Sequence, residues 1–311
     1  LRFALVKEVA GAGQDIRLDY DRSKDTSATV EAARNFANKL WNATRFTLLN
    51  IEENNLEDLG EGVNPTSLQL SDKWILSRLA RTNITISSRY KEYSLGEAAK
   101  GLYEFVWNDF CDWYLELIKR RLNLGEHPTA VELLDRTITQ KVLLKVLSDV
   151  LLMLHPLMPH LTEELWHAIT GFSEHKLLSL QAWPALEKEY LDEDLETSFS
   201  ALFESIRLVR NLRAVAGMKP SKEVPVRFVT KKAALAKMLK QATADIRVLT
   251  RANQVEVFHP DELINQPSVK ALAGVSGELE VILPIEGLVD IKELRRRLEK
   301  DLLKAQKEIS T

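Results

Sequence analysis

Apolar residues recur every three to four positions through most of the chain, which is the spacing of helices that bury one side. In the first half, this period and the residues that start and stop helices predict five helices. They are expected at about 30–50, 71–93, 94–122, 129–155 and 161–169. Ser94 and Glu97 form a capping-box pattern at the start of the third helix, and Pro156 and Pro159 mark the corner after the fourth. The pattern indicates an antiparallel helix bundle.

The pattern changes after Trp183 and Pro184, where short alternating runs begin. A basic amphipathic helix and a Pro-containing link precede runs that predict four strands and one helix, with Ser276-Gly277 as a hairpin turn. A last helix from Val289 spaces its apolar residues like a coiled coil, over about three heptads. The expected bounds are 195–216 for the basic helix, 218–225 for the link, 226–230, 254–258, 269–275 and 278–283 for the strands, and 232–249 for the helix.

These elements predict a mainly α fold: an antiparallel helix bundle followed by a small α+β domain and the start of a coiled-coil helix. We place the helical domain at residues 30–185, the small α+β domain at 186–287 and the coiled-coil helix at 288–311. Residues 1–29 are interpreted as the remnant of a preceding region. The chain begins with Leu1 rather than Met, which favours a fragment of a longer protein.

Composition is that of an ordinary soluble globular protein, with 45% hydrophobic and 28% charged residues among 311. No apolar run is long enough for a bilayer and no signal peptide is visible, so we expect a cytoplasmic protein without a membrane partner. Cys111 is the only cysteine, which excludes an internal disulfide, and it is expected to be a small buried hydrophobe. The net charge is −3, but residues 205–251 carry twelve Lys/Arg and two Asp/Glu. Such a block favours a polyanionic partner, although it is also typical of a solvated surface.

No set of catalytic residues is visible, because the sequence lacks a Gly-rich phosphate loop, a nucleophile elbow and a zinc-protease motif. His155 and His160, with Glu163 and Glu164, resemble a metal cluster, but their spacing fits no known set of ligands. We interpret these histidines as packing or capping groups at a helix corner. We therefore expect neither a catalytic residue nor a metal site in this chain.

The first predicted helix carries a polar face suited to RNA. Arg34, Asn38, Trp41, Asn42 and Arg45 recur at helical spacing on the side opposite its apolar residues. Aromatic rings stack on unpaired bases, amides bond to base edges, and arginines contact phosphate or guanine. A buried polar network between packed helices uses the same side chains, and the sequence leaves both interpretations open.

The third predicted helix contains four aromatic residues in the eight positions from Trp107, so most are expected in the core or on a contact surface. Asp109 and Asp112 lie three residues apart on one face of the same helix. We interpret them as acceptors of salt bridges or hydrogen bonds from a neighbouring helix, for example from Arg34 or Arg45. An acid–base pair would need a cleft and shifted pKa values.

Three segments of the chain resemble the anticodon-binding domain of valyl-tRNA synthetases. They are RNFANKLWNATRF (34–46), WNDFCDWYLELIK (107–119) and HPLMPHLTEELW (155–166), the last being shared with the isoleucyl, leucyl and methionyl enzymes. Flanking parts of the same enzymes are similar to LRFAL (1–5), GQDI (13–16), IRLVRNLR (206–213), PSK (220–222) and residues 288–309. The resemblance covers nearly the whole chain in order.

The resemblance implies that the chain binds tRNA(Val) and belongs with upstream catalytic and editing domains of the same polypeptide. The parent enzyme uses ATP and Mg²⁺ to join valine to its tRNA, and its catalytic motifs lie upstream of Leu1, so this chain should hold no cofactor. We expect a monomer. The expected contacts with the anticodon are Arg34, Asn35, Asn38, Lys39, Trp41, Asn42 and Arg45. The expected contacts with the tRNA backbone are Arg207, Arg210, Arg213, Lys219 and Lys222.

Alternative functions remain open at this point. One is the same domain of an isoleucyl-, leucyl- or methionyl-tRNA synthetase, although the isoleucyl enzyme usually carries a cysteine-rich zinc module that this sequence lacks. Another is a helical scaffold that binds protein through the surface at 107–114. A hydrolase that uses Asp109 and Asp112 has little support, because no substrate-orienting group accompanies them.

Overall fold

The structure is a computed structural model, and it describes residues 1–8, 19–51, 65–171, 176–219, 221–263 and 270–309. The chain divides into two compact units, a first unit of Leu1–Glu193 and a second unit of Asp194–Thr311. The GQDI segment and part of the third predicted strand lie outside the described residues. The fold class predicted from the sequence is confirmed: a mainly helical unit is followed by a small α+β unit.

The first unit is a bundle of helices whose ends lie within two residues of the predicted ones. An additional short helix, α1, precedes them, and a π-helix interrupts the third predicted helix. The bounds are α1 Arg2–Lys7, α2 Ala28–Asn50, α3 Leu70–Lys91, α4 Leu95–Glu104, the π-helix Phe105–Tyr114, α5 Leu115–Leu122, α6 Ala130–Leu154 and α7 Pro159–Thr170.

The start of the chain packs into this bundle. Phe3 of α1 is buried and its ring stacks on that of Phe36 in α2, with centroids 4.8 Å apart and planes 9° apart. Asp19 then caps α2, because its carboxylate accepts hydrogen bonds from the backbone amides of Ala28 and Thr29 at 2.9 and 3.3 Å. A carboxylate at this position is stabilised by the positive N-terminal end of the helix dipole. The segment before Ser27 therefore fixes where α2 begins.

A buried ionic network joins α3, α5 and α6. Arg121 donates two hydrogen bonds to Asp72, at 2.7 and 2.8 Å, and two to Asp135, both at 2.8 Å. Tyr114 donates a further one to Asp72 at 3.0 Å. Because Asp72 is fully buried, its charge depends on these donors, and removing them would leave it uncompensated.

The predicted capping box at Ser94 is wrong, although α4 does begin directly after it. The Ser94 side chain makes no capping hydrogen bond, and Glu97 pairs instead with Lys100 at 3.2 Å. A capping box forms at α6, where the Thr129 amide donates to Glu132 at 2.8 Å and the Glu132 amide donates to the Thr129 hydroxyl at 3.2 Å. Two helices thus begin in the same way along the sequence, but only one uses the reciprocal pair.

A strap without α-helix or strand, residues 181–192, runs along α3 near the end of the first unit. Asn83 donates hydrogen bonds to the carbonyls of Pro184 and Ala185, at 3.1 and 2.8 Å. Trp183 donates from its indole to the Ser87 hydroxyl at 2.8 Å. Side chains of α3 therefore make hydrogen bonds to polar groups of the strap, including two backbone carbonyls, which in a sheet would bond to a neighbouring strand.

The second unit is a four-stranded sheet with helices. Its strand order is β2-β1-β4-β3, with β1 parallel to β2 and the other two pairs antiparallel. The predicted hairpin is confirmed, since Ser276 pairs with Leu279 and Gly277 adopts φ +57° in the turn. The bounds are α8 Glu193–Val215, β1 Val224–Thr230, α9 Ala233–Gln241, α10 Thr243–Thr250, β2 Ala252–Phe258, α11 Pro260–Leu263, β3 Ala271–Ser276, β4 Leu279–Pro284 and α12 Ile291–Ile309.

Three features of the second unit differ from the sequence interpretation or extend it. The helix predicted at 232–249 is broken at Ala242, which ends α9 and caps α10. The helix α8 lies close to β3, because a Cβ added to Gly274 would come within 2.7 Å of the Leu208 side chain. On α12, Leu294 is buried while Leu302 and Leu303 are exposed.

Candidate nucleic-acid interface

Helix α2 has a buried side and an exposed side. Phe36 and Leu40 are completely buried and Ala43 is nearly so, which fixes the rotation of the helix against the bundle. Trp41, on the other side, is 46% exposed although it is large and mostly apolar. The exposed predicted contacts are Arg34, Asn35, Asn38, Trp41, Asn42 and Arg45. We call these six residues the α2 face.

The α2 face makes no polar side-chain contact with the described part of the protein. Within the described part of the chain, no member of it has a side-chain hydrogen bond or an ion pair. The alternative interpretation, a polar network sealed between packed helices, therefore does not apply to these six residues. Their donors and acceptors stay available to a ligand.

Lys39, the seventh predicted contact, is arranged differently. Its side chain is only 24% exposed, and its ammonium pairs with the Asp112 carboxylate of the π-helix. The same Nζ atom lies over the Trp107 ring, 4.0 Å from the centroid. Lys39 thus marks the border between the α2 face and the π-helix.

Aromatic rings form a column beneath this border. The Phe36 ring contacts the Tyr103 ring at 5.1 Å, and Tyr103 stacks on Trp107 at 5.4 Å with an angle of 18°. A second cation, Lys7, lies over Tyr103 at 4.8 Å from the centroid. Tyr103 and Trp107 are half-buried, so the column reaches the surface at its Trp107 end.

The two carboxylates of the π-helix accept salt bridges, as predicted, but from other partners. Asp109 accepts from Arg78 of α3 at 2.8 Å, and Asp112 pairs with Lys39. Arg34 and Arg45, the example donors, do not bind them, because both lie on the exposed side of α2. Neither carboxylate forms the acid–base pair of a hydrolase.

The rest of the π-helix is largely core. Phe110, Trp113 and Tyr114 are buried, so the scaffold alternative loses most of the aromatic surface that it requires. Burial raises the pKa of the Cys111 thiol to about 12, with smaller opposing effects from Lys39 and Asp112. The thiol is therefore neutral at physiological pH, in keeping with a small hydrophobic group.

The predicted backbone contacts of the second unit are divided between surface and structure. Arg207, Arg210 and Lys219 are exposed, and Arg210 also donates to the Leu249 carbonyl at 3.0 Å. Arg213 differs from them, since it is 8% exposed and donates to the Lys222 carbonyl at 2.7 Å. Burial, then the nearby Arg251, lowers the pKa of Arg213 from its ordinary value.

Lys222 is also engaged within the second unit. It is half-buried and its ammonium donates to the Leu288 carbonyl, which ties the link after α8 to the turn before α12. Arg213 and Lys222 thus hold the chain around the end of α8 in place. Both side chains donate to backbone carbonyls.

The histidine corner after α6 is a packing arrangement. His155 Nδ1 lies 2.8 Å from the Thr162 hydroxyl, and His167 Nε2 lies 3.2 Å from the Glu163 carboxylate. Glu163 also accepts from the Leu178 amide at 2.7 Å. Among the described residues, no group of three or more His, Cys, Asp and Glu side chains is placed to hold a metal ion. No helix in the described ranges is both long and apolar enough to cross a membrane.

Comparison with known families defines the class of protein to which this arrangement belongs. A family described as the anticodon-binding domain of tRNA ligase matches residues 72–228, which is half of the chain. The chain belongs to this family. The match begins within α3, so it includes Trp107 and Asp112 but not α2.

The particular relatives include α2 as well. A valine--tRNA ligase of Prochlorococcus marinus is 66% identical over 310 residues, which is 100% of this chain and 33% of the relative. The valine--tRNA ligase of Parasynechococcus marenigrum is 65% identical over 309 residues, 99% of this chain and 34% of the relative. That of Thermosynechococcus vestitus is 46% identical over 311 residues, 100% and 33%. The chain therefore spans about a third of the length of these relatives.

Proposed function

We propose that this chain is the tRNA-binding part of a valine–tRNA ligase, and that the α2 face contacts the anticodon loop of tRNA(Val). The observation that supports the proposal is the exposure of all six residues of that face, with no partner for them in the described part of the chain. A helix that leaves two arginines, three asparagines and a tryptophan unengaged resembles a binding surface more than a solvated one. The family match and the names of the relatives point to the same ligand.

The chemistry of the face fits an unpaired RNA loop. Arg34 and Arg45 supply positive charge for phosphates or for the edge of guanine. Asn35, Asn38 and Asn42 each offer a donor and an acceptor to base edges, and Trp41 offers a ring for stacking. Loops are read in this way because their bases are splayed out and accessible.

The second unit adds sequence-independent contacts in this proposal. Arg207, Arg210 and Lys219 are the candidates, because they are exposed and charged. Arg213 and Lys222 are left out, since neither is exposed and each donates to a backbone carbonyl. Phosphate contacts of this kind weaken steeply as salt rises.

The activity of the whole protein is inferred from its relatives and is part of the proposal. We infer that the full-length enzyme joins valine to tRNA with ATP and Mg²⁺, in the cytoplasm, and works as a monomer. In this proposal the described residues take no part in that chemistry. The upstream catalytic and editing domains of the same polypeptide would supply it.

A titration with valine tRNA tests the proposal. The 311-residue chain should bind a valine tRNA more tightly than the same tRNA with a substituted anticodon. Combined substitution of Asn35, Asn38 and Asn42 by Ala should lower that preference at least about tenfold, because the loss of even one base contact costs about 1–3 kcal/mol. Fluorescence anisotropy of labelled tRNA would measure it.

Asn123→Ala is the matched control, because Asn123 lies at the end of α5 and its amide donates to the Lys119 carbonyl at 3.0 Å. It should leave the preference unchanged. If the chain binds both tRNAs equally and the asparagine variants change nothing, the α2 face is not the site of anticodon recognition. If no tRNA binds at all, the proposed function itself is wrong.

A further inference from the structure

The border between α2 and the π-helix has the features of a second, smaller binding position. Trp107 is half-buried and closes the aromatic column. Lys39 covers its ring at 4.0 Å and pairs with Asp112, whose side chain is 49% exposed. A ring, a cation and an accessible carboxylate therefore meet directly beside the α2 face.

A bound ligand can easily replace the contacts that Lys39 makes with Asp112 and the Trp107 ring. An ion pair with one well-exposed partner is weak, because water and salt compete with it. A distance of 4.0 Å between cation and ring centroid is also close to the distance at which a base stacks on an aromatic ring. Phosphate is a stronger competitor for a lysine than a solvated carboxylate is, since RNA brings several negative charges together.

The backbone around Trp107 supports a role beyond packing. The segment Phe105–Tyr114 is a π-helix, which is rare and occurs disproportionately at functional sites. Its wider turn places Trp107 and Asp112 on the side of α2 while Phe110 and Tyr114 stay in the core. A regular helix would not hold these four side chains in the same directions.

We infer that Trp107 is a stacking platform for one unstacked nucleotide of the bound RNA, and that Lys39 exchanges Asp112 for the phosphate of that nucleotide. This inference rests on the proposed function and adds Trp107 and Asp112 to the RNA site. In the free protein Lys39 shields the ring and neutralises the carboxylate. In the complex the base takes the ring, and Asp112 is left to accept an N–H from the base edge.

Substitution of the ring is the first test. Trp107→Leu should weaken binding of valine tRNA by about 5- to 100-fold, the effect of losing one base–aromatic stack. Trp107→Phe should retain most of the affinity, because a smaller ring still stacks. The matched control is Trp183→Phe, since Trp183 is 41% exposed and lies on the strap. Circular dichroism and thermal midpoints would verify that each variant is folded.

Charge is the second test, read from the salt dependence of binding. Lys39→Met should lower the slope of log K against log salt by about 0.7, the value for one phosphate contact with single-stranded RNA. Lys100→Met removes a lysine that is also ion-paired on its helix, and it should not change the slope. Asp112→Asn should tighten binding about two- to fivefold at low salt, because the competitor for Lys39 is removed.

The outcomes separate this inference from the function on which it rests. If Trp107→Leu is folded and binds like the wild type, while α2-face variants lose binding, the platform does not exist and the proposed function stands. If Asp112→Asn weakens binding in step with a lower thermal midpoint, the ion pair is structural only, which overturns the exchange. If the wild-type chain binds no tRNA, both proposals fail together.

Discussion

Helices α2 and α8 carry similar polar residues but use them in opposite ways. On α2, Arg34 and Arg45 point outward and have no partner among the described residues. On α8, Arg213 is buried and bonded to the Lys222 carbonyl, and Arg210 donates to the Leu249 carbonyl. A count of charges along the sequence treats the two helices alike.

The difference arises from the path of the chain around the end of α8. After this helix the chain turns tightly into β1, and its carbonyls need donors that nearby cations supply. Arg297 of α12 serves the same purpose, because it donates to the Val215 carbonyl at the end of α8. Residues 205–251 carry twelve Lys/Arg and two Asp/Glu, and some of these cations donate hydrogen bonds to backbone carbonyls of the protein itself. Only cations that remain unbonded can contribute fully to binding RNA.

The strongest case of a cation used by the fold is Arg121, and its loss should give the largest effect. Arg121→Met leaves the fully buried Asp72 carboxylate without its main partner, which should cost about 3–5 kcal/mol of unfolding free energy. Urea denaturation would measure this loss. Arg89→Met removes an exposed arginine paired with Glu92 and should cost at most about 1 kcal/mol. Equal losses would show that burial does not distinguish the two arginines.

The opposite case is the pair of free arginines on α2. Arg34→Met with Arg45→Met should weaken binding of valine tRNA by about 10- to 100-fold and lower its salt dependence, while thermal stability stays the same. Anisotropy titrations at two salt concentrations would measure both quantities. A loss of stability comparable to the loss of binding would mean that these arginines also serve the fold.

Arg213 should behave in the reverse manner. Arg213→Met removes the side-chain donor to the Lys222 carbonyl, at a cost of roughly 1–2 kcal/mol in unfolding free energy. The affinity of the folded protein for tRNA should be unchanged. Arg207→Met, at an exposed position on the same helix, is the control for binding. If Arg213→Met lowers the affinity for tRNA more than Arg207→Met does, Arg213 contributes to binding and not only to stability.

The smallest expected effect is a pH dependence at the start of α2. The pKa of Asp19 lies below its ordinary value of 3.8, chiefly because its carboxylate accepts hydrogen bonds from the Thr29 hydroxyl and amide. Because the pKa of Asp19 is lower in the folded than in the unfolded state, the ionised carboxylate stabilises the fold above pH 3.8. This stabilisation is lost as the pH falls through the pKa of the folded state. The difference in thermal midpoint between wild type and Asp19→Ala should therefore shrink between about pH 5 and pH 2. A constant difference over that range would exclude the capping carboxylate as its cause.

The sequence was enough to predict the helices and the hairpin, and the period of apolar residues placed the polar residues of α2 opposite its buried side. Each of these depends on residues close together in sequence. The sequence left open whether those polar residues of α2 are exposed or sealed between helices. The partner of Asp109 could not be predicted in this way, because Arg78 lies on another helix. The burial of Arg213 and Lys222 depends on carbonyls in turns whose path is set by the sheet. The π-helix and the break at Ala242 carry no sequence signal that differs from an ordinary helix.

The strap on α3 has a consequence for the order in which the first unit forms. Its residues belong to no sheet in the described structure, and two of its carbonyls depend on Asn83, about a hundred residues earlier. The strap can reach its native path only after α3 is helical and in place. We therefore expect the strap to be among the last segments of this unit to fold during synthesis. Proteolytic cleavage within the strap would report that it has dissociated from α3.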